Sequence, residues 1–425
     1  MLLEFTVGNY RSFYDNRTFS MLSQKIREEA KENVIQVMSY DILKTLAVYG
    51  ANSSGKSNLI NAMQTMDSCV LTSVKLNPNE ELMYDPFLLR KGNDKPTVFE
   101  VSFLKNEYCY RYGFSYNRTK IVDEWLFRRT TKRSKEQTIF IRNEEGIAYD
   151  DKKFPDGPDN VALKTGVNGN RLLLSLCAQL GGYISNQVIS WFETDFNVVS
   201  GLNNQGYRGF SKLLFHNNRG ESRKAMSFFK KLQLGFNEIS TQEEQLAIPS
   251  GTPKDLIPLL SREILGKKNI KIESVHSLYD SKGKGCGSIN FPFEDRESSG
   301  TRKLFDMSGP IFDTLENGTI LVIDELDAKM HPLISQEIIR LFHSSETNPK
   351  NAQLIFTTHD TNLLSTKMMR RDQIWFTEKN ETEQTDLYCL TDIVFPDGTK
   401  PRNDANYEKN YIAGRYGAIP YIVNE

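Results

Sequence analysis

The eight residues Gly50-Ala51-Asn52-Ser53-Ser54-Gly55-Lys56-Ser57 fit G-x-x-x-x-G-K-[ST], the pattern of a loop that cradles phosphate. The flanks agree with it. Leu46-Ala47-Val48-Tyr49 is a short apolar run of the kind that forms a buried parallel strand, and Leu59, Ile60, Met63 and Met66 recur at helical spacing. Strand, glycine loop and helix are what the chemistry requires. Gly50 and Gly55 let the backbone bend, so that N–H groups from Asn52, Ser53 and Ser54 through Asn58 converge on phosphate oxygens at the positive end of the helix. Lys56 would lie along the β- and γ-phosphates, and the Ser57 hydroxyl would coordinate Mg²⁺. The stretch reads as a nucleotide site for ATP and Mg²⁺.

A chain of 425 residues, 39% hydrophobic and 25% charged, has the composition of a globular protein with room for two or three domains. Its 53 basic and 54 acidic residues nearly cancel, so no global field draws it to nucleic acid or membrane. Cys69, Cys109, Cys177, Cys286 and Cys389 are scattered and never form C-x-x-C, which argues against zinc and against a disulfide framework. Met1-Leu2-Leu3 is followed at once by Glu4 rather than by a signal-peptide core, and no apolar run reaches the ~18 residues of a membrane span. The expectation is a soluble cytoplasmic protein.

Leu3, Phe5 and Val7 alternate with polar neighbours, as in a first strand ending at Gly8-Asn9. Arg11 follows, either a solvated strand end or a cation placed near bound nucleotide. From Pro96 the texture changes to an antiparallel meander: Phe99, Val101 and Phe103 alternate, then Tyr108, Tyr110, Tyr112, Phe114 and Tyr116 take every second position. Such a stripe is the buried face of a sheet; its rival reading is a base-stacking platform for single-stranded nucleic acid. Arg128-Arg129-Thr130-Thr131-Lys132-Arg133-Ser134-Lys135 is the most basic stretch, placed at a hairpin tip. It reads as a solvated turn or as a contact for phosphate backbone (DNA) or an acidic partner, through Arg128, Arg129, Lys132 and Arg133. Between residues 151 and 284 helical signals dominate: Leu172, Leu173, Leu176 and Leu180 form one stripe, Met226 to Leu234 another, Leu256 to Ile264 a third. Gly201-Leu202-Asn203-Asn204 breaks them.

Nucleotide chemistry returns near the end of the chain. Glu297-Ser298-Ser299-Gly300-Thr301 opens a helix with Leu304, Phe305, Ile311, Phe312 and Leu315 on one face, and Asn317-Gly318 stops it. Ile320-Leu321-Val322-Ile323 then leads into Asp324-Glu325. A buried strand with carboxylates at its C-terminal end suits an Mg²⁺-nucleotide site: Asp324 would hold the metal and Glu325 would polarise the attacking water. Leu354-Ile355-Phe356-Thr357-Thr358 is one more buried strand, and it ends in His359, within reach of a γ-phosphate or of that water.

Taken in order, a P-loop near the start, a distant Ser-Gly signature, an Asp-Glu strand and a switch His resemble an ABC-type ATPase head of the SMC/RecF/OLD group. The resemblance implies an α/β fold: a P-loop ATPase head with a mixed sheet, an antiparallel β-meander subdomain and a helical insertion. It also implies a homodimer in which Ser298 and Gly300 of one subunit, with Ser299 between them, bind the γ-phosphate held by the other subunit's loop. Arg11 and Ser12 match the group's first-strand motif. The pattern departs from the group where a glycine pair is Ser299-Gly300, where the leading leucine is Glu297, and where Gln64 lies inside the P-loop helix so that no Q-loop glutamine is assigned. Asp324-Glu325-Leu326-Asp327 with His331-Pro332, Pro86-Phe87 and Tyr411 to Pro420 resemble the ATPase subunits of prokaryotic antiviral systems, of the AbiL/RloA type and the PARIS (AriA) type. Those families pair with a separate effector, a Toprim-like nuclease. On that basis residues 1–84 form an N-terminal ATPase lobe, 85–150 a β subdomain, 151–288 a helical insertion and 289–425 a C-terminal ATPase lobe. The implied function is a sensor or regulatory ATPase of an anti-phage complex; the alternative is a RecF- or SMC-like clamp that binds DNA. The segment Tyr411 to Pro420 is either a surface for the effector or a capping strand.

Overall fold

The computed structural model describes residues 1–26, 28, 31–157, 167–201, 205–245 and 268–420. Contacts divide the chain into two compact units, one of Met1–Leu202, Asn317–Ala328 and Ser335–Glu425, the other of Asn203–Glu316 and Lys329–Ile334. In chain order the strands are β1 (Leu2–Gly8), β2 (Arg17–Ser20), β3 (Val34–Val37), β4 (Tyr40–Leu43), β5 (Thr45–Tyr49), β6 (Thr97–Lys105), β7 (Tyr108–Tyr116), β8 (Ile121–Arg129) and β9 (Gln137–Asn143). They continue with β10 (Gly146–Tyr149), β11 (Phe196–Ser200), β12 (Glu238–Gln245), β13 (Lys268–Tyr279), β14 (Gly285–Pro292), β15 (Ile320–Asp324), β16 (Gln353–Thr357), β17 (Ile374–Lys379) and β18 (Thr385–Cys389). Among the described residues, no helix is long and apolar enough to cross a membrane.

The first unit holds a six-stranded sheet in the order β11-β15-β16-β5-β17-β18. Every neighbouring pair is parallel except β17 with β18. Its central strands are apolar except at their ends because both faces are covered; β5 and β16 are buried at every position. A seven-stranded antiparallel sheet, β10-β9-β8-β7-β6-β1-β2, carries the meander. The helix Lys56–Thr72 buries Leu59, Ile60, Met63, Met66 and Val70 in one core with Phe5, Phe99 and Tyr112 of that sheet and Val48, Val322 and Ile355 of the other. Tyr110, Tyr112, Phe114 and Tyr116 are all at 0% exposure, so their ring faces are spent on packing and no base-stacking platform exists there.

Several expectations change. β1 and β2 share one sheet with the meander, through pairs such as Phe5 with Val101, so residues 1–84 and 85–150 are not a lobe and a separate subdomain. Residues 151–288 are not a helical insertion. The helices Leu173–Gln179 and Tyr183–Ser190 and strand β11 belong to the first unit, while the second unit builds a three-stranded sheet, β12-β13-β14, beside the helices Gln205–His216 and Gly220–Lys231. Leu180 falls just past its helix and is 50% exposed, so the Leu172 stripe closes at Leu176. The Leu256 to Ile264 stripe and Leu202 to Asn204 lie outside the described residues. Tyr411 stacks on Phe376 with ring centroids 5.5 Å apart, and the Tyr411 hydroxyl donates to the Ala418 carbonyl at 3.0 Å. The last described segment therefore packs onto β17.

One buried carboxylate ties the meander to the helix Leu173–Gln179. Glu124, fully buried on β8, accepts the backbone N–H groups of Leu173 and Leu174 at 2.7 and 2.9 Å and the Tyr112 hydroxyl at 3.1 Å. Arg142 lies 3.5 Å away as counter-charge. The helix has no cap from its own flank, so this carboxylate supplies the missing acceptor. Removing it leaves a buried cation and two buried N–H groups unpaired. Glu124→Ala is expected to lower unfolding free energy by about 3 kcal/mol or more, measured by urea titration, and Glu124→Gln by less; an unchanged midpoint for the alanine variant would exclude the anchor.

Candidate active site

The register of the six-stranded sheet sets three chain segments side by side. Ile323 on β15 pairs with Phe356 on β16, and Thr357 pairs with Val48 on β5, so the strands end in line. Their C-terminal ends release Glu325, His359 and the Gly50–Ser57 loop on one edge, where such sheets place ligands. A cavity of 560 Å³ opens there, lined by Asn52 through Asn58 together with Glu325 and His359.

The loop is shaped by close approaches. A Cβ on Gly55, at φ +115°, would lie 2.3 Å from the Thr385 hydroxyl, and one on Gly50 would lie 2.5 Å from the Thr377 carbonyl. Thr377 also meets the Ser54 hydroxyl at 2.7 Å, and the Ser54 carbonyl accepts from Thr385 at 2.8 Å. These two threonines, from the last two strands, brace the loop from behind. No side chain caps the helix Lys56–Thr72, and no acidic residue sits in its first turn. Its initial N–H donors and positive dipole end thus face the cavity, which suits an anion. The Lys56 ammonium donates to the Gly50 and Ala51 carbonyls at 2.8 and 3.0 Å. Burial pulls its pKa down to about 8, offset in part by Asp324, Glu325 and Asp327.

Opposite the loop, the Thr357 hydroxyl organises the acids. It donates to Asp324 Oδ1 at 2.6 Å and accepts the Glu325 N–H at 2.7 Å. Glu325 adopts φ +55°, a strained conformation for a non-glycine residue, and this turns its carboxylate onto the cavity wall. Gly201, at the end of β11, donates its N–H to the Asp324 carbonyl at 2.5 Å; a Cβ there would stand 2.0 Å from the Glu325 carbonyl oxygen. Burial, and after it the Lys56 ammonium, hold the His359 imidazole below its ordinary pKa, so it is neutral at pH 7. The backbone N–H of His359 reaches Asp327 Oδ2 at 3.4 Å, while Asp327 Oδ1 is buried with no hydrogen-bond partner among the described residues.

Gly50, Asn52, Ser53, Ser54, Gly55, Lys56, Ser57, Asn58, Asp324, Glu325 and His359 are therefore brought together, as the sequence predicts. Ser12 stands behind the loop rather than on its wall: its hydroxyl accepts from Asn58 and lies 2.8 Å from Thr385. Arg11 is not on the wall, since its guanidinium is held by Asp85 at 2.8 Å. In the second unit, Ser298 caps the helix Ser299–Asn317 by accepting the Thr301 N–H at 3.1 Å, and both Ser298 and Ser299 are exposed. Gly300 is needed there because a Cβ would come 2.9 Å from the Lys329 carbonyl. At the basic hairpin, Arg128 lies over the Tyr108 ring and bonds Gln137, and Arg129 lies over Tyr40; Lys132 and Arg133 are exposed. Sequence reasoning missed Thr357, Thr377, Thr385 and Gly201. Each acts through a neighbour remote in the chain, and only the glycine left a mark, read as a helix break.

Residues 46–365 match the family described as "AAA domain, putative AbiEii toxin, Type IV TA system". The chain belongs to that family. The match opens on the strand before the P-loop and closes just past His359, so it takes in both walls of the site. Among curated proteins, none matches. Among solved structures, the SMC head bound to the C-winged helix domain of ScpA aligns with 92% of this AAA-domain chain and 98% of its own, at 14% identity and a TM-score of 0.46. The SMC head domain from Thermotoga maritima aligns over the same shares at 11% identity and a TM-score of 0.40.

The donors suit a magnesium triphosphate. Mg²⁺ takes hard oxygen ligands and is commonly held by one or two protein oxygens plus phosphates, which Ser57 and Asp324 supply in chemical type. A bound polyphosphate favours the charged form of Lys56. Affinity for ATP is expected to be greatest below about pH 8 and to fall as the pH rises through that value, by up to about tenfold per unit, in a fluorescent-nucleotide titration. Lys56→Arg, which stays charged, should flatten the profile; an identical profile in that variant would dissociate Lys56 from the effect.

Proposed function

We propose that this AAA-domain protein is an Mg²⁺-dependent ATPase of the ABC type. The observation that carries this reading is the shared wall: Glu325, neutral His359 and the Lys56 loop line one cavity. Mg²⁺, when bound through Ser57 and Asp324, offsets charge on the β- and γ-phosphates. The chain's own residues do the rest. Backbone N–H groups of the loop and Lys56 orient the phosphates, Glu325 takes a proton from the attacking water, and His359 donates its ring N–H toward the γ-phosphate oxygens.

Hydrolysis in this reading requires two copies, arranged head to tail. The exposed start of the helix at Ser298, Ser299 and Gly300 offers N–H donors and a dipole suited to a γ-phosphate presented by the second copy. ATP then holds the dimer, and nucleotide release loosens it. The family's description as a putative toxin of a toxin–antitoxin system, together with the antiviral-type motifs, supports a regulatory ATPase of a defence complex in the cytoplasm, controlling a separate effector such as a Toprim-like nuclease.

Glu325→Gln should bind ATP normally, lose about 10²-fold or more of hydrolysis and accumulate an ATP-bound dimer on light scattering. Ser298→Arg should bind ATP without the ATP-dependent gain in mass. Wild-type turnover by the Glu325→Gln variant would remove the proposed base, and ATP-dependent dimers of the Ser298→Arg variant would remove the sandwich.

A further inference from the structure

The most basic run of the chain lies at the turn between β8 and β9, and none of it lines the nucleotide cavity. Two hydroxyls close that turn: the Thr131 N–H donates to the Ser134 hydroxyl and the Ser134 N–H to the Thr131 hydroxyl, each at 3.0 Å. The Lys132 N–H donates to the Ser39 hydroxyl at 2.7 Å, which pins the tip to the turn between β3 and β4. The cations therefore project from a positioned backbone. Arg128, Arg129, Lys132, Arg133 and Lys135 form no ion pair among the described residues. Glu136, the acid that follows them, is already held by Arg111 through two hydrogen bonds of 3.1 and 2.6 Å.

Aromatic rings adjoin these cations. Tyr108 is the one ring of the β7 stripe that is not fully withdrawn from the surface, and the Arg128 guanidinium lies over it, 4.8 Å from the ring centroid. Tyr183, at the start of the helix Tyr183–Ser190, is 72% exposed. Gln187, one turn further along the same face of that helix, accepts the Tyr110 hydroxyl at 2.9 Å. That hydroxyl stands within electrostatic reach of Arg128, Tyr108 and Tyr183 alike, so the exposed ring and the stacked Arg–Tyr pair share one patch of surface.

Cations alone suit any polyanion. Exposed rings beside them, one already carrying a stacked guanidinium, suit a polyanion whose units have planar faces, with phosphates on the cations and bases on the rings. An acidic peptide would leave the rings unused. A duplex keeps its base faces inside its own stack, so only its phosphates would be met.

We infer that the β8–β9 turn, with Tyr108 and Tyr183, is a binding surface for single-stranded nucleic acid. Lys132, Arg133 and Lys135, all exposed, meet its phosphates, and the Tyr183 ring takes a base. Every residue of this surface belongs to the first unit, so it needs neither a second copy nor bound ATP.

The test is fluorescence anisotropy of the full-length chain with a labelled oligothymidylate of about 20 nucleotides, free of ATP and Mg²⁺, over a salt series. Binding that weakens steadily with salt is expected. Lys132→Gln with Arg133→Gln should weaken it at least about tenfold and reduce the salt slope by about 1.4, since each phosphate contact on a single strand contributes about 0.7. Tyr183→Ala should weaken it about tenfold at an unchanged slope, while Tyr183→Phe should bind as the wild type does. An absence of binding at the lowest salt overturns the inference. So does a duplex bound as tightly as the strand, an oligoglutamate peptide that displaces the strand at equal concentration, or a Tyr183→Ala variant that binds like the wild type. Leaving out ATP and Mg²⁺ keeps each of these outcomes separate from the fate of the ATPase reading.

Discussion

A single hydroxyl, that of Thr357, fixes where the acidic half of the site stands. It satisfies Asp324 and the backbone of Glu325 at once, from the strand next to theirs. It can do so only because β15, β16 and β5 run parallel with their ends in phase. The same phase delivers the P-loop opposite. A slip of one residue would turn Thr357 to the other face of the sheet and leave Asp324 without its donor. The geometry of the site is a consequence of strand register, and register is enforced by the burial of every side chain on β5 and β16.

The cation at the centre of the site is held under constraint. Lys56 is buried and bonded to two carbonyls of its own loop. Three carboxylates nearby only partly offset the loss of hydration, as the fall of its pKa to about 8 shows. A polyphosphate would supply the missing counter-charge, so the loop stores a preference for an anionic ligand. His359 experiences the same environment with the opposite outcome. Partly desolvated beside Lys56, its imidazole is held below its ordinary pKa, and in the neutral form it keeps one donor and one acceptor nitrogen.

The site was largely legible in the sequence because each of its parts is a continuous stretch whose chemistry depends on neighbours in the chain. The P-loop, Asp324-Glu325 and His359 each follow a short apolar strand, and parallel strands place such ends together. What could not be read was lateral. Thr377 and Thr385 brace the loop across several hundred residues of chain, and Glu124 caps a helix almost 50 positions away. Arg11 was drawn to Asp85 instead of the cavity, a choice made by a loop whose fold the sequence does not announce. The domain boundaries failed for a related reason: β12, Glu-Ile-Ser-Thr-Gln-Glu-Glu-Gln, lacks the alternation of a half-buried strand, so its sheet passed for part of a helical region.

The most direct measurement of the nucleotide assignment is a crystal structure with a non-hydrolysable ATP analogue and Mn²⁺ replacing Mg²⁺. The anomalous peak is expected between the Ser57 hydroxyl and Asp324, with the γ-phosphate against Lys56 and facing Glu325 and His359. A metal peak elsewhere, or a triphosphate lying outside the Gly50–Ser57 loop, contradicts it.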